Sequence, residues 1–251
     1  MDPLQIGITV TSVMMFMIFF GMRVAFASAL AGTAGLVWIL STKLGLEKAM
    51  FAGLGMAGTI PHSKAVTYAL SILPMFILIG FLAFHAGLTK SLFEAAKRWL
   101  GRLPGGLAVA TVFATAGFAA VSGASTATAA VFARVAIPEM LKEGYNRRLA
   151  AGVVAAGGTL ATLIPPSAIL VIYAIIVEES VGQLLLAGFL PGIVSALIYG
   201  LIIVSIVFFK PEMGPKTRIY SFKEKMVSLP ATVPIFSVII IIFGSMYFGW
   251  A

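Results

Sequence analysis

The sequence predicts an all-α, multi-pass membrane protein with about six spanning helices and one re-entrant helical hairpin. Of its 251 residues, 60% are hydrophobic and only 10% are charged, whereas a soluble domain carries about 25% charged residues. The charged residues fall in short segments between long apolar runs, as membrane loops do. A lipid bilayer is therefore the expected environment for most of the chain.

Composition also excludes several classes of function. Cysteine is absent, so disulfides, thiolate nucleophiles and cysteine-bound metals are excluded. The net charge of +8 is spread over loops that set membrane topology, so it does not indicate a nucleic-acid partner. The N-terminal MDPLQIG lacks the basic start of a secretory signal peptide, so we expect the first apolar stretch to be a retained helix.

The apolar runs are assigned in chain order. We predict that residues 41–64 form a mixed, interfacial helix and that residues 89–103 form an amphipathic, interfacial one. Spanning helices are predicted at residues 4–20, 24–40, 66–87 (with Pro74 inside), 181–209 and 227–250, and a discontinuous helix at 149–177.

The basic clusters fix the topology of these helices. With Arg23 on the cytoplasmic side, the basic segments 90–102, 142–148 and 210–225 all come to that side as well. Residues 105–141 must then enter and leave the membrane on one face. That stretch is shorter than the roughly 40 residues that two full spans and a turn require. A re-entrant hairpin fits it better, and two short complete spans are the alternative.

Two apolar segments are interrupted by small and hydroxylated residues. The first break is the SGAST run from Ser122 to Thr126, with Thr128 just beyond, and the second runs from Gly157 to Ser167. Backbone groups in hydrocarbon must be satisfied internally, so a broken helix survives only beside a cavity or buried in protein. Paired broken helices are typical of the ion and substrate sites of transporters.

Helix ends at such breaks offer complementary chemistry. Carbonyl groups at the C-terminal end of the first half-helix suit a hard cation such as Na⁺. Free N–H groups at the N-terminal end of the next half-helix suit a carboxylate. For the first break taken alone, the alternative is that small residues only permit tight helix packing.

Five stretches of the sequence carry a resemblance to one family. They are SILPMFILIGFLAFHAGLTKSLF, LPGGLA, AAVSGASTATAA, IPEMLKEGYNRRLAAGVVAAGGTL and LIPPSAILVIYA. Together they resemble the large membrane subunit (M subunit, DctM-like) of TRAP transporters, over its N-terminal half to two thirds. The resemblance implies a Na⁺-driven, elevator-type importer of organic anions, such as C4-dicarboxylates or sialic acid, in the bacterial inner membrane. It also implies a small membrane subunit and a periplasmic solute-binding protein as partners, with no cofactor besides the coupling Na⁺.

The resemblance also implies the site residues. We predict no catalytic residue and no metal other than Na⁺. The predicted Na⁺ site comprises Ser122, Gly123, Ser125, Thr126, Gly157, Gly158, Thr159 and Thr162. The predicted substrate contacts are Ser125, Thr128, Pro165, Ser167 and Arg134. For Arg134, snorkelling to the cytoplasmic headgroups is the favoured role and a contact with a substrate carboxylate is the alternative.

This sequence departs from the family pattern at three positions. Ala124 stands where the family usually has serine, Ala161 where it has glycine, and Arg134 where it has a small residue. The expected organisation is a scaffold-like region at 1–104, a transport-site region at 105–180, and two further helices at 181–251. We expect the chain to be the first half of an inverted repeat. Whether it is a fragment, a truncated gene or half of a split subunit stays open.

Three other functions compete with this interpretation. One is a related carboxylate carrier that works without a binding protein, and another is a nonfunctional half. The third is an intramembrane serine protease with Ser125 as nucleophile, which requires a base within hydrogen-bond reach. Only His62 and His85 are available as histidine bases, and neither accompanies a matching motif.

Overall fold

Helices account for nearly all of the regular structure. The computed structural model describes residues 3–66, 70, 72–215 and 219–249, and no strand occurs within those ranges. The predicted all-α class is confirmed. The helices are α1 (Pro3–Phe19), α2 (Val24–Leu44), α3 (Leu46–Ala65), α4 (Ile72–His85), α5 (Leu88–Leu100), α6 (Gly106–Ser122), α7 (Ser125–Lys142), α8 (Arg147–Thr159), α9 (Ala168–Val177), α10 (Val181–Phe209), α11 (Phe222–Ser228) and α12 (Val233–Tyr247).

Fewer helices than predicted are long enough to cross a membrane. Within the described ranges, three stretches qualify by length and composition: Val24–Leu44, Val181–Phe209 and Phe222–Ser245, which runs from α11 into α12. A fourth qualifies if α4 and α5, separated by a 65° bend, count as one. The predicted number of about six is not matched because α1 has 17 residues and the second break leaves α8 and α9 with 13 and 10. A full span requires about 20.

The chain forms two compact units, residues 1–67 and residues 68–251. In the first unit, α1, α2 and α3 pack as successive antiparallel neighbours through glycine. A Cβ added to Gly53 of α3 would stand 2.5 Å from a methyl group of Val37 in α2, and Gly35 makes the equivalent contact with α1. The mixed segment is helical, as predicted, and its glycine allows close packing on α2. The three-part functional division of the chain stays a prediction.

The predicted hairpin is present as α6 and α7. The two helices run antiparallel, side by side, from the tip to the base. The rings of Phe118 and Phe132 are 6.0 Å apart near the tip. Nearer the base, the Thr111 hydroxyl lies 3.8 Å from the sulfur of Met140. The chain therefore enters and leaves this hairpin at the same end.

The hairpin stops short of the far end of its neighbours, as a re-entrant element should. Its tip lies beside the second break. On α10, Gly188 contacts this break and so lies at the same height. A Cβ there would stand 2.5 Å from the Leu163 carbonyl oxygen. Residues 181–187 of α10 continue beyond this level for about 10 Å, and α9 continues for about 15 Å. These lengths favour the re-entrant hairpin over two complete spans.

The core of the second unit surrounds α6. All of its residues are buried except Phe113 and Gly117, which are half-buried. Most of its side chains are small, which allows the close approach that drives helix association in lipid. Its two buried threonine hydroxyls donate to backbone carbonyls one turn earlier, so neither is left unsatisfied. The largest fully buried side chains of this core include Phe118 and Leu107 of α6 itself and Phe93, Phe132 and Met140 of its neighbours.

Three basic segments meet at the base of the hairpin. Lys97 of α5 is buried and pairs with Glu139 of α7 at 2.6 Å and with Glu143 at 3.4 Å. The turn after α7 joins the segment after α10, where the Asn146 N–H donates to the Met213 carbonyl at 3.0 Å. The base of the unit thus gathers the segments that the charge pattern assigned to one side of the membrane.

This arrangement predicts the accessibility of single cysteines in the full-length protein. Cysteines that replace Arg102, Arg147 or Glu212 should all be protected from an impermeant maleimide added outside the cell, because all three positions lie at the base. A cysteine in place of Glu179, beyond the far end of α9, should be labelled. If the three base positions differed in labelling, residues 105–141 would cross the membrane and the hairpin would be wrong.

Candidate functional site

The first break is a two-residue turn at the hairpin tip. α6 ends at Ser122, Gly123 takes a left-handed conformation with φ of 62°, and α7 begins at Ser125 after an extended Ala124. The left-handed conformation favours glycine because any side chain is strained there. The Gly123 N–H donates to the Ala119 carbonyl at 3.1 Å and so closes the end of α6. The predicted break is present, but Ser125 and Thr126 already belong to α7.

The second break joins α8 to α9 through irregular backbone, and it begins later than predicted. Gly157, Gly158 and Thr159 still belong to α8, where the two glycines allow close packing on α6 and α7. A short 3-10 helix at Leu160–Thr162 follows α8, and the Pro165–Pro166 peptide bond after it is cis. Ser167, which is fully buried, caps α9. Its hydroxyl donates to the Thr162 carbonyl at 2.8 Å and accepts from the Leu170 N–H at 3.4 Å. A single serine therefore bridges the two sides of this break.

The two breaks touch each other. The Ala168 N–H, the first of α9, donates to the Gly123 carbonyl at 3.0 Å. A Cβ on Gly123 would overlap the carbonyl oxygen of Pro166, so only glycine fits between the tip and the second break. On the other side of the tip, a Cβ on Gly158 would stand 2.7 Å from the Cβ of Ala129 in α7. The prediction that the two breaks face one another is confirmed.

Hydroxyl groups surround this contact and are bonded locally. Ser122 and Thr128 are both buried, and their hydroxyl oxygens are 2.8 Å apart. The Thr159 hydroxyl donates to the Ala156 carbonyl at 2.7 Å, and the Thr162 hydroxyl donates to the Thr159 carbonyl at 2.7 Å. A hydroxyl that donates in this way retains lone pairs for a further partner.

Four helix ends converge at the two breaks. The C-terminal ends of α6 and α8 bring carbonyl groups and partial negative charge, and the N-terminal ends of α7 and α9 bring N–H groups and partial positive charge. Ala124, at the N-terminus of α7, provides no side-chain cap. The arrangement therefore offers oxygen ligands for a hard cation beside donors for an anion.

The predicted site residues differ in how deeply they are buried. Thr126 and Thr159 are exposed, whereas Ser125 and Thr162 are half-buried and Pro165 is buried. Arg134 is exposed on α7, about 14 Å along the helix axis from Ser125. The structure thus does not bring Arg134 to the hairpin tip, and its part in substrate binding stays a prediction.

Two residues at the site were missed in the sequence. Gly80 of α4 packs on the tip, where a Cβ would stand 2.8 Å from the Cα of Ser122. Beside this contact is a cavity of about 130 Å³, in which Ser122 supplies the polar side chain. The Tyr199 hydroxyl of α10 lies 3.3 Å from the hydroxyl of Thr159. Tyr199 is the single tyrosine of the apolar α10, so the sequence offered a signal. The sequence did not show which way its side chain points.

Broken helices that meet inside a bundle of apolar helices define a secondary-transporter type of site. Comparison of the sequence with known proteins identifies the family to which the chain belongs. Residues 11–251 match the DctM component of the tripartite ATP-independent periplasmic transporters, and the chain belongs to that family. Membership confirms the resemblance found in the sequence and the expected location in the bacterial inner membrane.

Two relatives are C4-dicarboxylate TRAP transporter large permease proteins DctM. The one from Pseudomonas aeruginosa is 37% identical over 182 residues, which are 72% of this chain and 42% of the relative. The one from Vibrio cholerae is 32% identical over 233 residues, which are 93% of this chain and 49% of the relative. The sialic acid TRAP transporter large permease protein SiaM of Vibrio cholerae is 30% identical over 240 residues, which are 93% of this chain and 52% of the relative.

The chain therefore spans about half the length of the curated relatives it matches. These relatives are transporter permeases, which confirms that the chain is not an enzyme and removes the serine protease alternative. The surroundings of His85 agree, because its ring contacts Phe81 and Phe84 of its own helix and its Nδ1 atom lies 3.0 Å from the Phe81 carbonyl.

The contact between the two breaks makes a prediction about stability. Gly123→Ala should lower the apparent melting temperature of the full-length protein in detergent much more than Gly87→Ala. Gly87 is a matched control, because it has nearly the same left-handed conformation (φ 78°, ψ 8°) but open space at its Cβ position. Both variants carry conformational strain of about 1–3 kcal/mol, and only Gly123→Ala adds the overlap with Pro166. Equal losses would mean that the tip does not press on the second break.

Proposed function

We propose that this chain forms part of the permease of a Na⁺-driven importer of organic anions that depends on a binding protein. The observation that carries the proposal is the hydrogen-bonded contact between Gly123 and Ala168, which brings four helix ends together. Ends of both polarities at one place suit a site that holds a cation and an anion at the same time.

The coupling cation is proposed to bind among oxygen atoms of both breaks. Ser122, Gly123, Ser125 and Thr126 contribute from the first break, and the stretch from Gly157 to Thr162 contributes from the second. Na⁺ is a hard cation that carbonyl and hydroxyl oxygens suit. Ala124 lacks the hydroxyl of the serine that the family usually has there, so backbone carbonyls supply most of the shell in this proposal.

The substrate is proposed to bind by a carboxylate at the helix N-termini. Ser125, at the start of α7, is half-buried and stands beside the uncapped N–H groups of that helix. Thr128 and Ser167 are buried and bonded within the protein, so their proposed role is to hold the tip in place. Pro165 lies in the backbone between these helix ends, and Arg134 is proposed to meet the substrate as it leaves.

The substrate class is proposed from the relatives. Their names give C4-dicarboxylates and sialic acid, both of which carry carboxylate groups. The tripartite description of the family supports two partners, a small membrane subunit and a periplasmic solute-binding protein. A further relative, from Oleidesulfovibrio alaskensis, is named isethionate TRAP transporter permease protein DctMQ.

Reconstitution tests this function. The full-length permease, its small subunit and a loaded binding protein should import a radiolabelled carboxylate into liposomes under an inward Na⁺ gradient. With K⁺ in place of Na⁺, uptake should fall to the level of empty liposomes. Uptake driven by a proton gradient without Na⁺ would contradict the proposal that Na⁺ is the coupling ion. Full uptake without the binding protein would show that the protein is a carboxylate carrier that works without one.

A matched pair of α8 variants tests the ion site. Gly158→Val would force the second break away from Ala129, whereas Gly152→Val on the same helix meets open space. We expect the Na⁺ concentration for half-maximal uptake to rise about tenfold or more in the first variant, a loss of about 1.4 kcal/mol in binding. It should stay near the wild-type value in the second. Equal effects of the two substitutions would remove the second break from the Na⁺ site.

A further inference from the structure

An apolar groove runs between four parts of the second unit. Its volume is about 620 Å³, within the range of about 300–1,000 Å³ that is typical of small-molecule sites. α6 contributes small side chains to it, from Ala116 to Ala120, while α5, α10 and α12 contribute larger ones that include Trp99 and Phe236. None of the residues that form the groove belongs to the two breaks except Ile164.

The wall of the groove offers almost nothing to a polar occupant. Two residues of the wall carry polar groups, Trp99 through its indole N–H and Thr232 through its hydroxyl. The Thr232 hydroxyl already donates to the Leu229 carbonyl at 2.8 Å. Water in a cavity requires two to four polar partners. The chemistry of the wall therefore points to a hydrocarbon occupant.

The dimensions of the groove suit one acyl chain. Along α6 it extends from Phe113 to Ala120, and along α5 from Leu92 to Leu100, which are about 10 and 12 Å. The hydrocarbon of a single leaflet is about 15 Å thick. A chain lying in the groove would therefore stay within one leaflet.

One end of the groove carries positive charge. The Lys225 ammonium lies 6.0 Å from the centroid of the Trp99 ring, and Trp99 is 40% exposed. Arg98, beside it on α5, reaches across to the Glu224 carbonyl at 3.2 Å. This end belongs to the base of the hairpin, where the basic segments meet. Tryptophan and lysine are typical of the headgroup level, and basic pockets between helices bind anionic headgroups.

We propose that the groove binds one acyl chain of an anionic phospholipid, with the headgroup at Lys225 and Trp99. The far end of the groove reaches Ile164, which packs against α10 at Gly192, where a Cβ would stand 2.6 Å away. A bound chain therefore touches the second break and supports its packing. The site is separate from the proposed Na⁺ and substrate sites, because no charged or hydroxyl group of the breaks faces it.

Tryptophan quenching tests the proposal in the full-length permease. A variant that retains Trp99 as its single tryptophan is placed in phosphatidylcholine vesicles. The vesicles contain an equal, low mole fraction of either dibrominated phosphatidylglycerol or dibrominated phosphatidylcholine. The anionic lipid should quench Trp99 more strongly, because it concentrates at the groove.

Two lysines on α11 provide matched variants. Lys225→Gln should weaken the apparent binding of the brominated phosphatidylglycerol about fivefold, since it removes one lysine from the headgroup level. Lys223→Gln, on the same helix and exposed, should leave it near the parent value. Ala96→Phe, which places a ring in the groove, should remove the extra quenching by the anionic lipid.

Two results would overturn the proposal. Equal quenching by both brominated lipids would mean that Trp99 meets ordinary bilayer lipid without a site. No quenching by either lipid would mean that protein covers the groove, either the rest of the permease or a second chain. Neither result depends on transport, so failure here and failure of the proposed import function can be told apart.

Discussion

The backbone bond from the Ala168 N–H to the Gly123 carbonyl is the interaction on which the second unit depends. Hydrocarbon tolerates no exposed backbone polar group, so each broken helix requires a partner. Here the two breaks serve as partners for each other, at 3.0 Å. The close fit against Pro166 leaves no room for a side chain on Gly123.

The same contact explains why a polar site can exist among apolar helices. Four helix ends with carbonyls and N–H groups meet there, and their dipoles alternate in sign. The local hydroxyls are bonded to backbone oxygens or to each other, which fixes their positions around the contact. In the proposed function, ions and substrates use the lone pairs and N–H groups that the fold has already oriented.

Much of this could be predicted from sequence. The two breaks were visible because glycine, proline and hydroxylated residues interrupt apolar runs, and the hairpin followed from its length and flanking charge. Gly80 and Tyr199 were missed because their role comes from contacts between distant helices, which periodicity does not reveal. Fewer helices of spanning length than predicted occur within the described residues, because breaks and bends that hydrophobicity does not reveal shorten them; the bend after α4, for example, lies at Gly87.

The hairpin is held at both ends, and this limits how it can move. At the tip it is bonded to α9. At the base, buried Lys97 of α5 pairs with Glu139 of α7 and with Glu143, which directly follows that helix. Because Lys97 is buried, separating α5 from α7 would leave its charge without a partner, which is unfavourable even though the two carboxylates are partly exposed to solvent. If the proposed transport displaces the site, we expect α5 and α9 to move with the hairpin, because they are bonded to its two ends.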